Sequence, residues 1–170
     1  TWLYDEPTGL LTNKVYADGK GPSYTYTPDG KLATRTWART APGTGLACQT
    51  IYAYNSSGQL TGIDYSDDTP DVFFQYDRLG RMTSAIVAGV STNAYTYDPE
   101  TLALSVETQN GMEINRTTDS LGRSTGLSVA GVGDPGSPYA VEYGYDAFGR
   151  FASVTNHSPL ATSDFSFTYS

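Results

Sequence analysis

The sequence predicts an all-β fold: tandem antiparallel β-hairpins joined into one long twisted or curled strip, with no significant helix. Three observations lead there. Tyr (14), Gly (18), Thr (23) and Ser (16) fill 71 of the 170 positions, and Tyr and Thr suit a pleated strand while Gly punctuates turns. Two aromatics separated by one residue recur through the chain, at Trp2/Tyr4, Tyr24/Tyr26, Tyr52/Tyr54, Phe74/Tyr76, Tyr95/Tyr97, Tyr143/Tyr145 and Phe167/Tyr169. Residues i and i+2 of a strand point to one face, so each pair lines one side of a sheet. A turn signal follows the pairs.

The copies start at residues 2, 24, 52, 74, 95, 116, 143 and 167, about eight in a single array over residues 1–170 with no separate second domain. The first turn, Tyr4-Asp5-Glu6-Pro7-Thr8-Gly9, is one residue longer than most. The second reads Tyr26-Thr27-Pro28-Asp29-Gly30-Lys31 and the third Tyr54-Asn55-Ser56-Ser57-Gly58-Gln59. The fourth, Tyr76-Asp77-Arg78-Leu79-Gly80-Arg81, is one of the two clearest. The fifth, Tyr97-Asp98-Pro99-Glu100-Thr101, follows the longer form and carries Leu102 where Gly is expected. In the sixth, Arg116 and Thr118 replace both aromatics, but Asp119-Ser120-Leu121-Gly122-Arg123 keeps the turn. The seventh is Tyr145-Asp146-Ala147-Phe148-Gly149-Arg150.

In each turn the Asp, Asn or Thr after the pair accepts hydrogen bonds from amides further on, and Pro28 and Pro99 preset φ. Gly supplies the left-handed residue without a Cβ penalty, and the next residue begins the return strand. The Gly/Pro insertions at residues 40–45 and 131–138 lengthen two of the connections between hairpins. About fifteen strands at ~4.8 Å make a strip on the order of 70 Å long with two free edges. Such a strip must curl, self-associate through its edges or leave an apolar face wet.

Charge narrows the partners. Ten Lys and Arg stand against 18 Asp and Glu, for a net charge of −8. So acidic a surface repels phosphate backbones and anionic lipid, which argues against nucleic acid. No apolar run is long enough for a spanning helix, so membrane insertion is not expected. One Cys and one His exclude a disulfide framework and a zinc finger. The chain begins at Thr1, and it is read as an excerpt of a longer protein.

The Tyr-Asp-x-x-Gly-Arg consensus, best matched by Tyr76, Asp77, Gly80 and Arg81 and by Tyr145, Asp146, Gly149 and Arg150, resembles the RHS or YD repeat. The resemblance covers essentially the whole chain. The family includes bacterial Rhs polymorphic toxins, cocoon-forming components of insecticidal toxin complexes, wall-associated proteins and teneurins. It implies a β-strip that, in complete proteins, spirals into a hollow shell around a sequestered C-terminal segment. The family's autoproteolytic core is missing. Asp134-Pro135-Gly136 is only superficially similar to it, so no catalytic residue is carried over.

Other candidates are weighed against plainer roles. The acidic run Asp64, Asp67, Asp68 and Asp71 offers oxygen ligands to Ca²⁺ but lacks EF-hand offsets, and a solvated connection is the better reading. His157 is expected in an exposed loop, and Cys48 as a small buried apolar residue. The turn arginines Arg81, Arg123 and Arg150 are expected to pair with turn aspartates. The Tyr ladder is expected to be packing, with successive aromatic faces stacked, rather than a sugar platform. Asn55, Asn115 and Asn156 lie in glycosylation sequons. The resulting expectation is a non-enzymatic segment of an RHS/YD shell, without cofactor, secreted or on a cell surface. Its partner is the remainder of its own parent chain, including an encapsulated toxin or other cargo. The alternative is a secreted or surface β-module for adhesion or carbohydrate binding.

Overall fold

The aromatic pairs and turns fold as hairpins. The computed structural model describes residues 1–130, 139–157 and 165–168. Fifteen antiparallel strands follow one another in chain order as open sheet, without a helix among the described residues. By their contacts the residues fall into two compact units, 1–90 and 91–170. The first holds β1 (Trp2–Tyr4), β2 (Leu11–Lys14), β3 (Ser23–Tyr26), β4 (Leu32–Thr40), β5 (Ala47–Tyr54), β6 (Leu60–Tyr65), β7 (Val72–Tyr76) and β8 (Met82–Val87). The second holds β9 (Ser91–Tyr97), β10 (Leu104–Gln109), β11 (Met112–Thr118), β12 (Ser124–Ala130), β13 (Tyr139–Tyr145), β14 (Phe151–His157) and β15 (Phe165–Thr168). Tyr169, the insertion at 131–138 with Asp134-Pro135-Gly136, and Ser158-Pro159 lie outside the described residues.

The aromatic-x-aromatic pairs alternate as period 2 demands: Tyr24, Tyr26, Tyr52, Tyr54, Phe74, Tyr76, Tyr95 and Tyr97 are half-buried, while Thr25, Ala53, Gln75 and Thr96 between them are exposed. At the end strand β1, Trp2, Leu3 and Tyr4 are all exposed. Each hairpin carries a further feature that the sequence did not announce. At the second aromatic position the register slips by one: Gln75 faces Ser84 but Tyr76 faces Met82, so Thr83 bulges. The same slip occurs at Tyr4, Tyr26, Tyr54, Thr118 and Tyr145, and between Leu104 and Val106 opposite Tyr97 and Thr96. A bulge bends its strand and increases the local right-handed twist.

One layer of sheet has little interior. Among the described residues the buried hydrophobic core is Cys48 alone, 1% exposed, beside buried Thr50. Trp37 covers this spot. Its indole N–H donates to Thr50 Oγ1 at 2.9 Å, the Arg35 guanidinium lies 3.5 Å from its ring centroid, and Arg39 donates to Cys48 Sγ at 3.4 Å. His157 departs from the sequence expectation. It ends β14 opposite Ala140 and is half-buried rather than in an exposed loop, because strand pairing with β13 continues to that residue.

Candidate functional site

The repeated unit is the turn and the seam it forms with the next hairpin. In the Asp77 turn the Asp77 N–H donates to Arg81 O at 2.9 Å and the Gly80 N–H to Asp77 O at 3.0 Å. Asp77 Oδ1 accepts from the amides of Leu79 and Arg81, both at 2.9 Å, and Oδ2 accepts from Arg81 Nε at 2.7 Å. Asp119 with Leu121 and Arg123, and Asp146 with Phe148 and Arg150, repeat the arrangement. Asn55 substitutes for the carboxylate: its Oδ1 accepts from Ser57 and Gln59 amides and its Nδ2 donates to Gln59 Oε1. In the second turn Thr27 Oγ1 accepts from the Lys31 amide, and Asp29 is ion-paired with Lys31.

The longer turns are geometrically alike. Asp5 N–H reaches Leu10 O and Asp98 N–H reaches Ala103 O, each at 2.8 Å. Glycines 9, 30, 58, 80, 122 and 149 all have φ between +70° and +82°, and Leu102 takes the same place at φ 61°.

These bonds depress the turn carboxyls. At Asp77 desolvation pushes the pKa upward but is outweighed by the Arg81 amide and guanidinium and the Leu79 amide, so the net shift is down. At Asp119 the Arg123 guanidinium leads, and at Asp146 the Arg150 amide followed by its guanidinium. Asp98 is lowered by Thr101, through its amide and then its hydroxyl.

What joins one hairpin to the one before it at four seams is the second tyrosine of the pair. Its phenol O–H crosses to a main-chain carbonyl of the preceding hairpin: Tyr26 to Leu11 at 2.8 Å, Tyr54 to Leu32 at 2.9 Å, Tyr76 to Leu60 at 2.9 Å and Tyr145 to Ser124 at 2.8 Å. The accepting residue is in each case the one facing the previous copy's bulge position, Tyr4, Tyr26, Tyr54 or Thr118. The last turn residue adds a second tie. Lys31 lies 5.8 Å from the Tyr54 ring centroid, Arg123 lies 4.3 Å from that of Tyr145, and Gln59 Nε2 donates to Gly80 O at 2.8 Å. Ring-on-ring stacking between successive hairpins is not the recurring contact. The two ring pairs described, Tyr143–Phe151 and Tyr145–Phe151, lie within one hairpin. The tyrosine at a fixed place, directly before each of these turns, was the available sequence signal. Its acceptor was invisible because it is main chain.

Of the acidic run, Asp67 and Asp71 have side-chain partners. Asp64 sits on β6 rather than in the connection, facing Ile51. Asp67 Oδ2 pairs with Arg39 at 2.7 Å and Oδ1 accepts from the Thr69 amide. Hydrogen bonds from Thr69, then Arg39, bring its pKa down to about 2. Asp71 Oδ1 accepts from the Tyr65 amide. Among the described residues no three His, Cys, Asp or Glu side chains converge on a metal position. The sequon side chains are engaged as well: Asn55 in its turn, Asn115 donating to Glu113, and Asn156 accepting from Tyr139 O–H.

No known family profile matches the chain, and no curated protein does. Solved structures do match. Over 99% of this chain, the TcdB2-TccC3 and TcdB2-TccC3-TEV crystal structures align at TM-score 0.51 and 16% identity. The Photorhabdus luminescens Tc holotoxin pore, with a mutation in TccC3, aligns at TM-score 0.52 and 14% identity. The chain shares its fold with these Tc toxin chains. It spans 10–12% of those chains. The residues that define the repeat in sequence form the turn, and the seam is formed by the tyrosine before it.

Proposed function

We propose that this chain is a segment of wall in an RHS-repeat protein, a non-enzymatic shell enclosing a C-terminal toxin or other cargo polypeptide, secreted or held at a cell surface. The observation that carries the reading is the alignment of 99% of the chain with the Tc toxin chains. The physics supports it. Each hairpin bonds to its sequence neighbours, so stability is a sum over local units and a wall can be extended without a central core. The turn carboxylates Asp77, Asp119 and Asp146 are held by the arginines of their own turns.

The test is protection. In the parent chain with its C-terminal segment attached, that segment should resist protease until the repeats are unfolded. Cleavage at the same rate with and without the repeats would overturn the proposal. Cell-wall sugars titrated against Trp2 and Trp37 fluorescence should give no saturable change. Saturation would favour the adhesion and carbohydrate-binding alternative.

A further inference from the structure

The phenol link is missing at one copy, and a cleft lies where it would be. Across the four linked seams, the residue two after the accepting carbonyl faces the residue three before the tyrosine: Asn13 with Ser23, Thr34 with Ile51, Gly62 with Phe73, and Gly126 with Glu142. The sixth copy keeps that register, with Val106 facing Asn115, so position 118 stands to Leu104 as Tyr76 stands to Leu60. But residue 118 is Thr, whose side chain is far too short to reach across. A cleft of about 200 Å³ lies there, lined by Asp98, Leu104, Ser105, Arg116 and Thr118 among others. For comparison, an apolar cavity of about 150 Å³ holds a benzene ring. Arg116 sits where the first aromatic should be. Its Nη2 pairs with Glu107 at 2.8 Å, while its buried Nη1 has no hydrogen-bond partner.

We propose that this cleft is a binding site for a single phenol ring, supplied by a small phenol or by a tyrosine side chain of another polypeptide segment. The ligand hydroxyl takes the place of the absent Tyr hydroxyl opposite the Leu104 carbonyl, beside Arg116. The inference rests on the repeat register and the cleft, and it stands whether or not the wall encloses a cargo.

The probes are p-cresol, toluene and N-acetyltyrosinamide, followed by amide chemical shifts of the 170-residue chain. Saturable shifts are expected at residues 98, 103–105 and 116–118 with p-cresol, and at least tenfold weaker binding with toluene, which lacks the hydroxyl. N-acetyltyrosinamide binding at the same residues assigns the site to a tyrosine side chain; p-cresol binding without it assigns the site to small phenols. Thr118→Tyr is expected to abolish p-cresol binding and to raise Tm by about 2–4 °C. No saturable shift with p-cresol, or equal binding of toluene, overturns the proposal on the unmodified chain. So does p-cresol binding that persists in folded Thr118→Tyr.

Discussion

Leu102 offers a direct measure of what the turn geometry costs. It holds the place that glycine takes in six other copies, at φ 61°. A left-handed backbone costs an L-residue roughly 1–2 kcal/mol. Glycine avoids this cost, but the greater freedom it gives the unfolded chain offsets about 0.4–1 kcal/mol of the gain. The Leu102 side chain is 52% exposed, so truncation forfeits roughly half of the 1.5–3 kcal/mol that full burial contributes. Leu102→Ala therefore loses about 1 kcal/mol, because it removes the side chain and keeps the strain. Leu102→Gly removes both and comes out near neutral, more stable than Leu102→Ala by roughly 0.5–1 kcal/mol. Urea unfolding of the two variants, compared through their midpoints at a common slope, reads that difference. Gly80 supplies the reciprocal test. At φ +82°, Gly80→Ala should cost about what Leu102→Gly gains over Leu102→Ala, and Gly80→Val should cost more than Leu102→Gly. Equal midpoints for Leu102→Ala and Leu102→Gly, or a Gly80→Ala variant as stable as the parent, would refute the turn reasoning.

The other predictions concern the seam, a close approach and acid. Tyr76→Phe leaves the Leu60 carbonyl without its phenol donor and should destabilise by about 0.5–1.5 kcal/mol; thermal melts of Tyr76→Phe and Tyr54→Phe that match the parent would count against the link. Gly21→Ala should be far more damaging than its loop position suggests, because a Cβ there would sit 1.5 Å from Lys14 O, and a variant with unchanged Tm would contradict the close approach. Folded-state pKa values below the ordinary 3.8 at Asp77, Asp98, Asp119 and Asp146, and about 2 at Asp67, mean the unfolded chain binds more protons in acid. Stability should be level above about pH 5 and decline as pH falls below about 4 through the folded values, and Tm measured from pH 6 to pH 2 checks this. Asp119→Asn should make that decline shallower, and an unchanged slope would argue against the Arg123 pairing.

The hairpins were legible because everything that makes one is local. Asp77, Leu79, Gly80 and Arg81 close their hydrogen bonds within four residues, so spacing alone reports them. The period-2 aromatics show which face each strand buries, and the longer spacing at Asp98 shows its kinship to Asp5. The tertiary structure decided what lies between hairpins. The Tyr54 link to Leu32 spans 22 residues and ends on a main-chain carbonyl, which every residue possesses and no letter of the sequence marks. The bulges at Tyr26, Tyr76 and Tyr145 are register slips, fixed by how two strands meet rather than by either strand. Gly21 is needed for a backbone approach, not a turn conformation, so it carries none of the repeat's spacing. The same reason governs position 118. The sequence shows a Thr in place of Tyr, but only the packed neighbours turn that substitution into a cleft of about 200 Å³ beside Leu104 and Arg116.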